Sequence, residues 1–412
     1  MKPSKPHTSK NPTRLRKKIA IVAVFFPPQA IGGGTRVVTD NIDLLIDEHG
    51  HEFDLVVFTS DASQQSPHSV HLYTYRGVRV YRAGILWRPH MDWHPQDPQM
   101  GELFARFLEH EKPDIVHFHS VQRMSASIVE ATLKKGIPYF VTIHDAWWIS
   151  DFQFLVDEND KVYPNGHPDP FESFEPPTGI SMDESLARRT YLKRLLNQAE
   201  RVLVVSEAFA KIYAANGIER ITVNKNGIKP RQWLPRVPSA SGRVRLGHIG
   251  GMSAHKGYHI FKEALSSHPF QNLEAIVVDL GAPQGSEVRD MWGTVPVTFI
   301  GKTPQEEVDQ LYARLDVLVA PSIWPESYGL VTREAAAAGV WVVASNLGGI
   351  GEDVLEGLTG NIIQPDLKNL TKTIHQIEQL GARIQPAADS LPIRSVNEQV
   401  EELRSIYGSI TK

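Results

Sequence analysis

Short apolar runs rich in β-branched residues alternate along this chain with segments whose apolar positions recur every three to four residues. The first run, IAIVAVFF over 19–26, belongs to a predicted strand at 18–26, and further strands are expected at 52–59, 78–83, 114–119, 139–143, 201–205 and 221–223. Most of these runs are continuously apolar, as the strands of a parallel sheet covered on both faces must be. Helical periods fill the gaps at 35–48, 101–111 and 125–135. The pattern stops at PRQWLPRVPSASG (230–242), whose three prolines and few apolar residues read as an interdomain linker. It then restarts, with strands expected at 243–249, 273–280, 295–300, 315–319, 341–344 and 361–363. Two doubly wound α/β units are therefore predicted, the second of about 150 residues, an ordinary domain size.

Residues 150–183 interrupt the first unit with no clear period. A loop this long inside a compact domain tends to be functional, and its aromatics, Phe152, Phe154, Tyr163, Phe171 and Phe174, argue against plain disorder. Two readings stay open: a lid or acceptor-binding loop, and a flap packed on the sheet. The segment after it, ESLARRTYLKRLL (184–196), reads as an amphipathic helix whose basic face is either solvated or meets a membrane or an anionic acceptor.

Composition narrows the function classes. With 412 residues and 41% hydrophobic content, two domains can each bury a core. No stretch approaches the roughly 20 apolar residues of a membrane span. The N-terminal residues 1–17 form a basic, polar tail without the apolar core of a secretory signal, so a cytoplasmic protein is expected, with the inner membrane face as a candidate peripheral contact. A net charge of −4 disfavours nucleic acid as a partner. Cysteine is absent, which removes disulfides, thiolate nucleophiles and cysteine zinc sites. The histidines show no metal-ligand spacing, and His117 and His119 alternate on a strand as half-buried side chains do, so no metal site is expected.

Candidate chemistry collects at strand ends. PESYGLVTREAAAAG (325–339) follows the strand at 315–319, placing Glu326 in a loop at the carboxyl edge of the sheet, where open α/β sheets bind ligands. Glu334 follows one turn into a helix starting near Leu330, close to its positive end. Both carboxylates are expected to face one crevice. In the same unit GGMSAHKG (250–257) holds Lys256 just past a glycine turn, a suitable point charge for phosphate. In the first unit FPPQAIGGGT (26–35) ends the first strand with glycines that let backbone approach a ligand ahead of a helix start, although such glycines also serve plain turns. The segment TIHDAWW (142–148) brings His144 and Asp145 out at a strand edge, either for a polyhydroxylated ligand or as a locally capped pair.

Taken together, these segments resemble the retaining glycosyltransferases of family 4, over nearly the whole chain. The likeness rests on Gly32 and Gly33, on 142–145, on VNKNGI (223–228), on Lys256 with Gly257, and on the E-x7-E pair Glu326 and Glu334. It implies the GT-B fold: two Rossmann-like domains facing a central cleft, over 18–236 and 237–394, with a terminal helix near 396–407, within 395–412, crossing back to the first. It implies a nucleotide-diphosphate sugar as donor substrate, no cofactor, and a glycan or lipid-linked acceptor in surface polysaccharide or glycoconjugate synthesis. By the same likeness Glu326 would hold donor-sugar hydroxyls and Glu334 the ribose. Lys256 and the backbone amides of Gly329 and Leu330, flanked by Ser327 and Tyr328, would hold the diphosphate. Gly32 and Gly33 would close the site from the first domain, with His144 and Asp145 beside the sugar. No carboxylate pair for a double displacement is evident, so front-face substitution is expected.

The chain departs from the family at Gly251, where an arginine commonly joins the lysine on the diphosphate. A hydrogen bond to a charged group is worth about 1.5–3 kcal/mol, against about 0.3–1 kcal/mol for a helix terminus. Either another cation enters, with His255 and Arg333 as candidates, or the donor binds less tightly. Lys229 stands where an aspartate often follows in the family. The competing readings are a catalytically silent nucleotide-sugar-binding subunit and a sugar-nucleotide epimerase or phosphorylase of the same fold.

Overall fold

The structure, a computed structural model, describes residues 16–29, 32–61, 63, 66–167, 174–230, 233–385 and 393–410. Residues 1–15 of the expected tail, Phe171, and Arg231 and Gln232 of the expected linker lie outside them. The first unit holds strands β1 (Lys17–Ala23), β2 (Phe53–Asp61), β3 (Val70–Tyr75), β4 (Val78–Gly84), β5 (Ile115–Phe118), β6 (Tyr139–Ile143), β7 (Arg201–Val204) and β8 (Ile221–Val223). Its helices are α1 (Gly32–His49), α2 (Pro98–Glu111), α3 (Ser127–Lys134), α4 (Met182–Leu196) and α5 (Glu207–Ala215). The strands form one sheet in the order β3-β4-β2-β1-β5-β6-β7-β8, parallel except for β3. Apolar side chains cover both faces, with Phe104, Phe118 and Trp147 on one and Ile21, Leu45 and Phe140 on the other.

The second unit repeats this plan. Its strands are β9 (Val244–His248), β10 (Leu273–Asp279), β11 (Glu287–Trp292), β12 (Val295–Gly301), β13 (Val317–Ala320), β14 (Trp341–Ser345) and β15 (Gly360–Ile363). Helices α6 (Tyr258–Ser266), α7 (Val308–Ala313), α8 (Leu330–Ala337) and α9 (Leu367–Leu380) accompany them. The sheet order is β11-β12-β10-β9-β13-β14-β15, again parallel except at the β11 edge. Chain reversal between β9 and β13 opens a crevice at the carboxyl ends of these strands, as it does between β1 and β5.

Helix α10 (Val396–Gly408) returns to the first unit. A capping box fixes its start, Ser395 accepting from the Glu398 N–H while the Glu398 carboxylate accepts from the Ser395 N–H. Val396, Val400, Leu403, Ile406 and Tyr407 then bury against Val38, Ile42 and Leu45 of α1. The Lys17 ammonium donates to the carbonyls of Tyr407 and Ile410, both at 2.7 Å, at the helix's negative end. Ile228, on the way out of the first unit, bridges Ser395 on the way back, so the two crossings lie side by side.

The 150–183 stretch shares both expected characters. Phe152 and Tyr163 are buried and stacked at 6.0 Å, and Phe174 packs against both, as a flap would. Phe154 instead stays exposed and reaches the second unit. The expected basic face of α4 is corrected at Arg188, which is 2% exposed. Its guanidinium donates to the carbonyls of Trp93, Ser150 and Trp147 at 2.8–2.9 Å. Burial lowers its pKa to about 10.

Candidate active site

A cavity of about 400 Å³ lies in the cleft between the two units, lined from the first by Gly32, Gly33, Gly34, His144 and Asn226. The second unit contributes Lys256, Trp324, Glu326, Ser327, Tyr328, Gly329 and Leu330, with His248 and Gly250 beside them. Strand-edge reasoning from the sequence thus converges on one place for most of the expected site residues.

Glu326 owes its position to the loop between β13 and α8. Its backbone bridges Gly348, and its carbonyl accepts from the Gly349 N–H at 2.7 Å. The Lys256 ammonium lies 2.9 Å from Oε1, which also accepts from the Ser322 hydroxyl. Among the described residues Oε2 carries no protein partner, which leaves it free to accept from a ligand hydroxyl. Gly329 starts α8 at φ +85, and a Cβ there would sit 2.7 Å from Ile350 Cγ1, so both conformation and space select glycine. Across the cleft a Cβ built on Gly33 would stand 3.0 Å from Leu330 Cδ1, so the glycine loop abuts the helix start.

Glu334 is buried outside the cavity lining. Arg36 of α1 reaches across from the first unit to within 2.8 Å of its Oε1, Gln305 donates to the same oxygen at 3.2 Å, and the Tyr312 hydroxyl donates to Oε2 at 3.1 Å. Arg36 also donates to Gln305 at 2.9 Å. Any ribose that used Glu334 would have to share it with Arg36.

On the first unit His144 lies against Gly34, where a Cβ would stand 3.5 Å from the ring, and its Nε2 is 3.0 Å from His119 Nδ1. Behind them His117 Nδ1 meets the Tyr407 hydroxyl at 2.6 Å and its Nε2 meets Thr142 Oγ1 at 2.7 Å. His117 and His119 are fully buried, a correction to the half-buried expectation. Burial lowers the pKa of His144 to about 4, that of His117 to about 3, and that of His119 well below the usual range. Neutral rings share one proton across the His119–His144 contact, so the tautomer of one fixes that of the other. Asp145 does not line the cavity. It accepts from the Trp147 N–H and from the amides of Gln122 and Gln153, all at 2.8–2.9 Å, and burial raises its pKa. It holds the loop that carries His144.

Neither candidate for the missing arginine enters the site. Arg333 is 2% exposed, paired with Asp353 at 2.7 Å and donating to the carbonyls of Tyr328, Gly349 and Ile350. It binds the 326–329 loop to the 348–350 loop. His255 stacks on Phe154 at 5.1 Å, and burial together with the Lys256 ammonium lowers its pKa. Gly251 has φ +94, a region an arginine adopts only with strain. The Lys229 ammonium lies 3.8 Å from Asp40 of α1.

Arg36 and Trp324 escaped sequence reasoning, and Phe154 was named there only as one aromatic of the 150–183 stretch. Arg36 follows Gly33 by three positions on a helix, the one signal that could have placed it at the cleft. Trp324 and Phe154 meet edge-on at 5.0 Å only through tertiary structure. Among the described residues the group of acidic and histidine side chains close enough to hold a metal ion is Glu48, His49 and Glu401. It lies at the far end of α1 from the glycine loop, about 1.5 Å per residue along the helix.

Comparison with known proteins shows what this arrangement is similar to. The family described as "Glycosyl transferase 4-like domain" matches residues 32–227, and "Glycosyl transferases group 1" matches 232–387. Glycogen synthase of Mycobacterium tuberculosis is 34% identical over 175 residues, 39% of this chain. That match spans 40% of the relative's length. Sucrose-phosphate synthase from Thermosynechococcus elongatus superposes with a TM-score of 0.70 at 17% identity, over 95% of this chain and 98% of that one. Anabaena HepE in complex with UDP and glucose does so with a TM-score of 0.64 at 17% identity, over 96% and 100%. At such identities the structural likeness speaks for the fold.

Proposed function

Because this chain belongs to the family-4 type of GT-B glycosyltransferases, we propose that it moves a sugar, with retention of configuration, from a nucleotide-diphosphate sugar to a hydroxyl of a glycan or lipid-linked acceptor. The reading rests on one observation above all: Lys256 and Glu326 meet at 2.9 Å beside the start of α8, opposite the neutral His144. As the glycosidic bond to phosphate breaks, negative charge grows on the leaving oxygen and positive charge on the sugar. The Lys256 ammonium and the first N–H groups of α8 stabilise the former without requiring a metal. Glu326 Oε2 accepts from a donor-sugar hydroxyl, and Glu334 accepts from the ribose once Arg36 shares it. Gly33 closes over the diphosphate, and Ser327 and Tyr328 shape its loop.

Retention follows from front-face substitution. The acceptor oxygen bonds to the anomeric carbon on the face the leaving group departs, the bonding pair goes to the phosphate oxygen, and that oxygen takes the acceptor's proton. The complex of HepE with UDP and glucose supports a donor of this class. Among the described residues no helix is long and apolar enough to cross a membrane. We propose a cytoplasmic location, with peripheral contact at the inner membrane face when the acceptor is lipid-linked.

Glu326→Ala and Lys256→Ala should each abolish transfer while the circular dichroism spectrum stays native; full activity in both removes the assignment. The anomeric coupling of the product by NMR decides retention. Gly251, with neither His255 nor Arg333 in the arginine's place, favours a second reading as a silent nucleotide-sugar-binding subunit. Calorimetric donor binding with neither transfer nor donor hydrolysis over a broad acceptor panel selects that reading.

A further inference from the structure

A second groove, of about 530 Å³, opens on the first unit between the segment after β4 and the start of the 150–183 stretch. Two aromatic side chains are exposed in it, Trp87 at 58% and Phe154 at 40%. Arg88, Asp92, Asp157 and Glu158 supply charged groups around them.

The walls are held by buried polar contacts. Arg188 ties the backbones of Trp93, Trp147 and Ser150 together, the Trp93 indole N–H donates to Asp151 at 2.8 Å, and the Trp147 indole N–H donates to the Asp92 carbonyl. The groove is therefore shaped before any ligand arrives. It also joins the cleft. The Phe154 ring stacks on His255 at 5.1 Å with 11° between planes and meets Trp324 edge-on at 5.0 Å. Trp324 lines the cleft cavity, 5.3 Å from the Lys256 ammonium to its ring centre. Phe154 and Trp324 thus link the lining of the groove to that of the cleft.

The side chains select the chemistry of that molecule. Aromatic faces pack against the C–H face of a pyranose while neighbouring carboxylates and amides bond its hydroxyls. An acyl chain would strip water from the charged groups around Trp87, a costly arrangement. Anionic lipid headgroups or phosphosugars would meet the carboxylates of Asp157 and Glu158.

Resting on the glycosyltransferase reading, we propose that this groove is the acceptor subsite and takes a neutral pyranose on Trp87 and Phe154, its reacting hydroxyl directed past Phe154 toward the Lys256–Glu326 pair. The test uses the full chain and saturation-transfer NMR with maltose, cellobiose and lactose, alongside sedimentation with phosphatidylglycerol vesicles. At least one disaccharide should bind at millimolar concentration, Trp87→Ala should weaken it about tenfold, and Trp87→Phe should restore most of the binding. The exposed position of Trp87 keeps both variants folded, which an unchanged unfolding midpoint verifies. Binding of no disaccharide, binding indifferent to Trp87→Ala, or vesicle binding that Trp87→Ala abolishes each overturns the proposal. The thermal shift given by UDP-glucose is read separately in the same samples. A missing shift in the unmodified chain counts against the donor reading, whereas the groove stands or falls on the disaccharides.

Discussion

Apart from the added edge strand β8 of the first, the two halves of the molecule have the same strand order, from an antiparallel edge strand through a crevice between the first strand and its later neighbour. They arm that crevice differently. After β6 the first half presents His144, backed by His119 and His117, three imidazoles that burial holds neutral. The second half presents Lys256 and Glu326 as an ion pair. Charge matching follows from the difference. A diphosphate belongs on the half with the lysine and the helix start, and a sugar becoming cationic at its anomeric carbon gains from a neutral ring beside it, where an imidazolium would repel it. One topology therefore supports a charged grip and an uncharged one, and the side chains at the carboxyl ends of the strands decide which.

Cations test this contrast first. In the first half Arg188 is structural, so Arg188→Ala should cost about 3–5 kcal/mol by leaving the carbonyls of Trp93, Ser150 and Trp147 without their buried donor. A urea midpoint checks it. Lys256 is partly exposed and paired at the cleft, and Lys256→Ala should cost less than about 1 kcal/mol of stability while removing activity. If the two variants lose comparable stability, the division into structural and chemical cations fails.

The neutral grip is tested next. His144→Ala should lower kcat by about 100-fold, as loss of one preorganised polar group at a reacting centre does, with donor binding by calorimetry nearly unchanged. His119→Phe, which touches no ligand but removes the partner that fixes the His144 tautomer, should lower kcat by about tenfold and shift the pH profile of kcat. A purely structural role for His119 would leave that profile in place.

Acid tests the neutral grip further. Each of the three histidines has its folded pKa below the unfolded value of about 6.5. Above that pH both states are neutral and stability does not depend on these groups. Below it the unfolded chain takes up protons that the folded chain refuses, so stability falls toward the folded pKa of about 4 for His144. The loss approaches about 1.4 kcal/mol per pH unit for each histidine. Urea midpoints between pH 7.5 and 5 measure the slope, and His144→Asn should reduce it by one histidine's share.

How much of this was legible in the sequence depends on burial. The central strands were readable because both faces are covered, and continuous apolar runs such as 19–26 announce that. Strands β3 and β11 were not, since VHLYTY and EVRDMW lie at sheet edges with mostly exposed side chains and leave no apolar run. Lys256 and Glu326 could be placed from strand ends alone. The Arg36–Glu334 contact and the meeting of Phe154 with His255 and Trp324 could not, because they depend on how the units face each other. Arg188 misled outright: a basic helix reads as solvated, and only tertiary packing shows that one of its arginines is fully enclosed.

The smallest expected effect bears on the missing arginine. Gly251→Arg forces a side chain into the left-handed region at φ +94, which costs about 1–2 kcal/mol. The new Cβ would lie 3.1 Å from Leu280 Cδ1, and Leu280 is 57% exposed, so its side chain can yield and the backbone term dominates. The strain is the same with and without donor, so it lowers the unfolding midpoint while leaving affinity untouched. Leu280 lines the cleft, so the guanidinium stays near the site, but in the proposed reading Lys256 and the helix start already hold the diphosphate, and calorimetric donor affinity should change by less than about threefold. A tightening of tenfold or more, about 1.4 kcal/mol, would show that the charged half of the cleft lacks one cation in this chain. It would also show that Lys256 and the helix start do not hold the diphosphate by themselves.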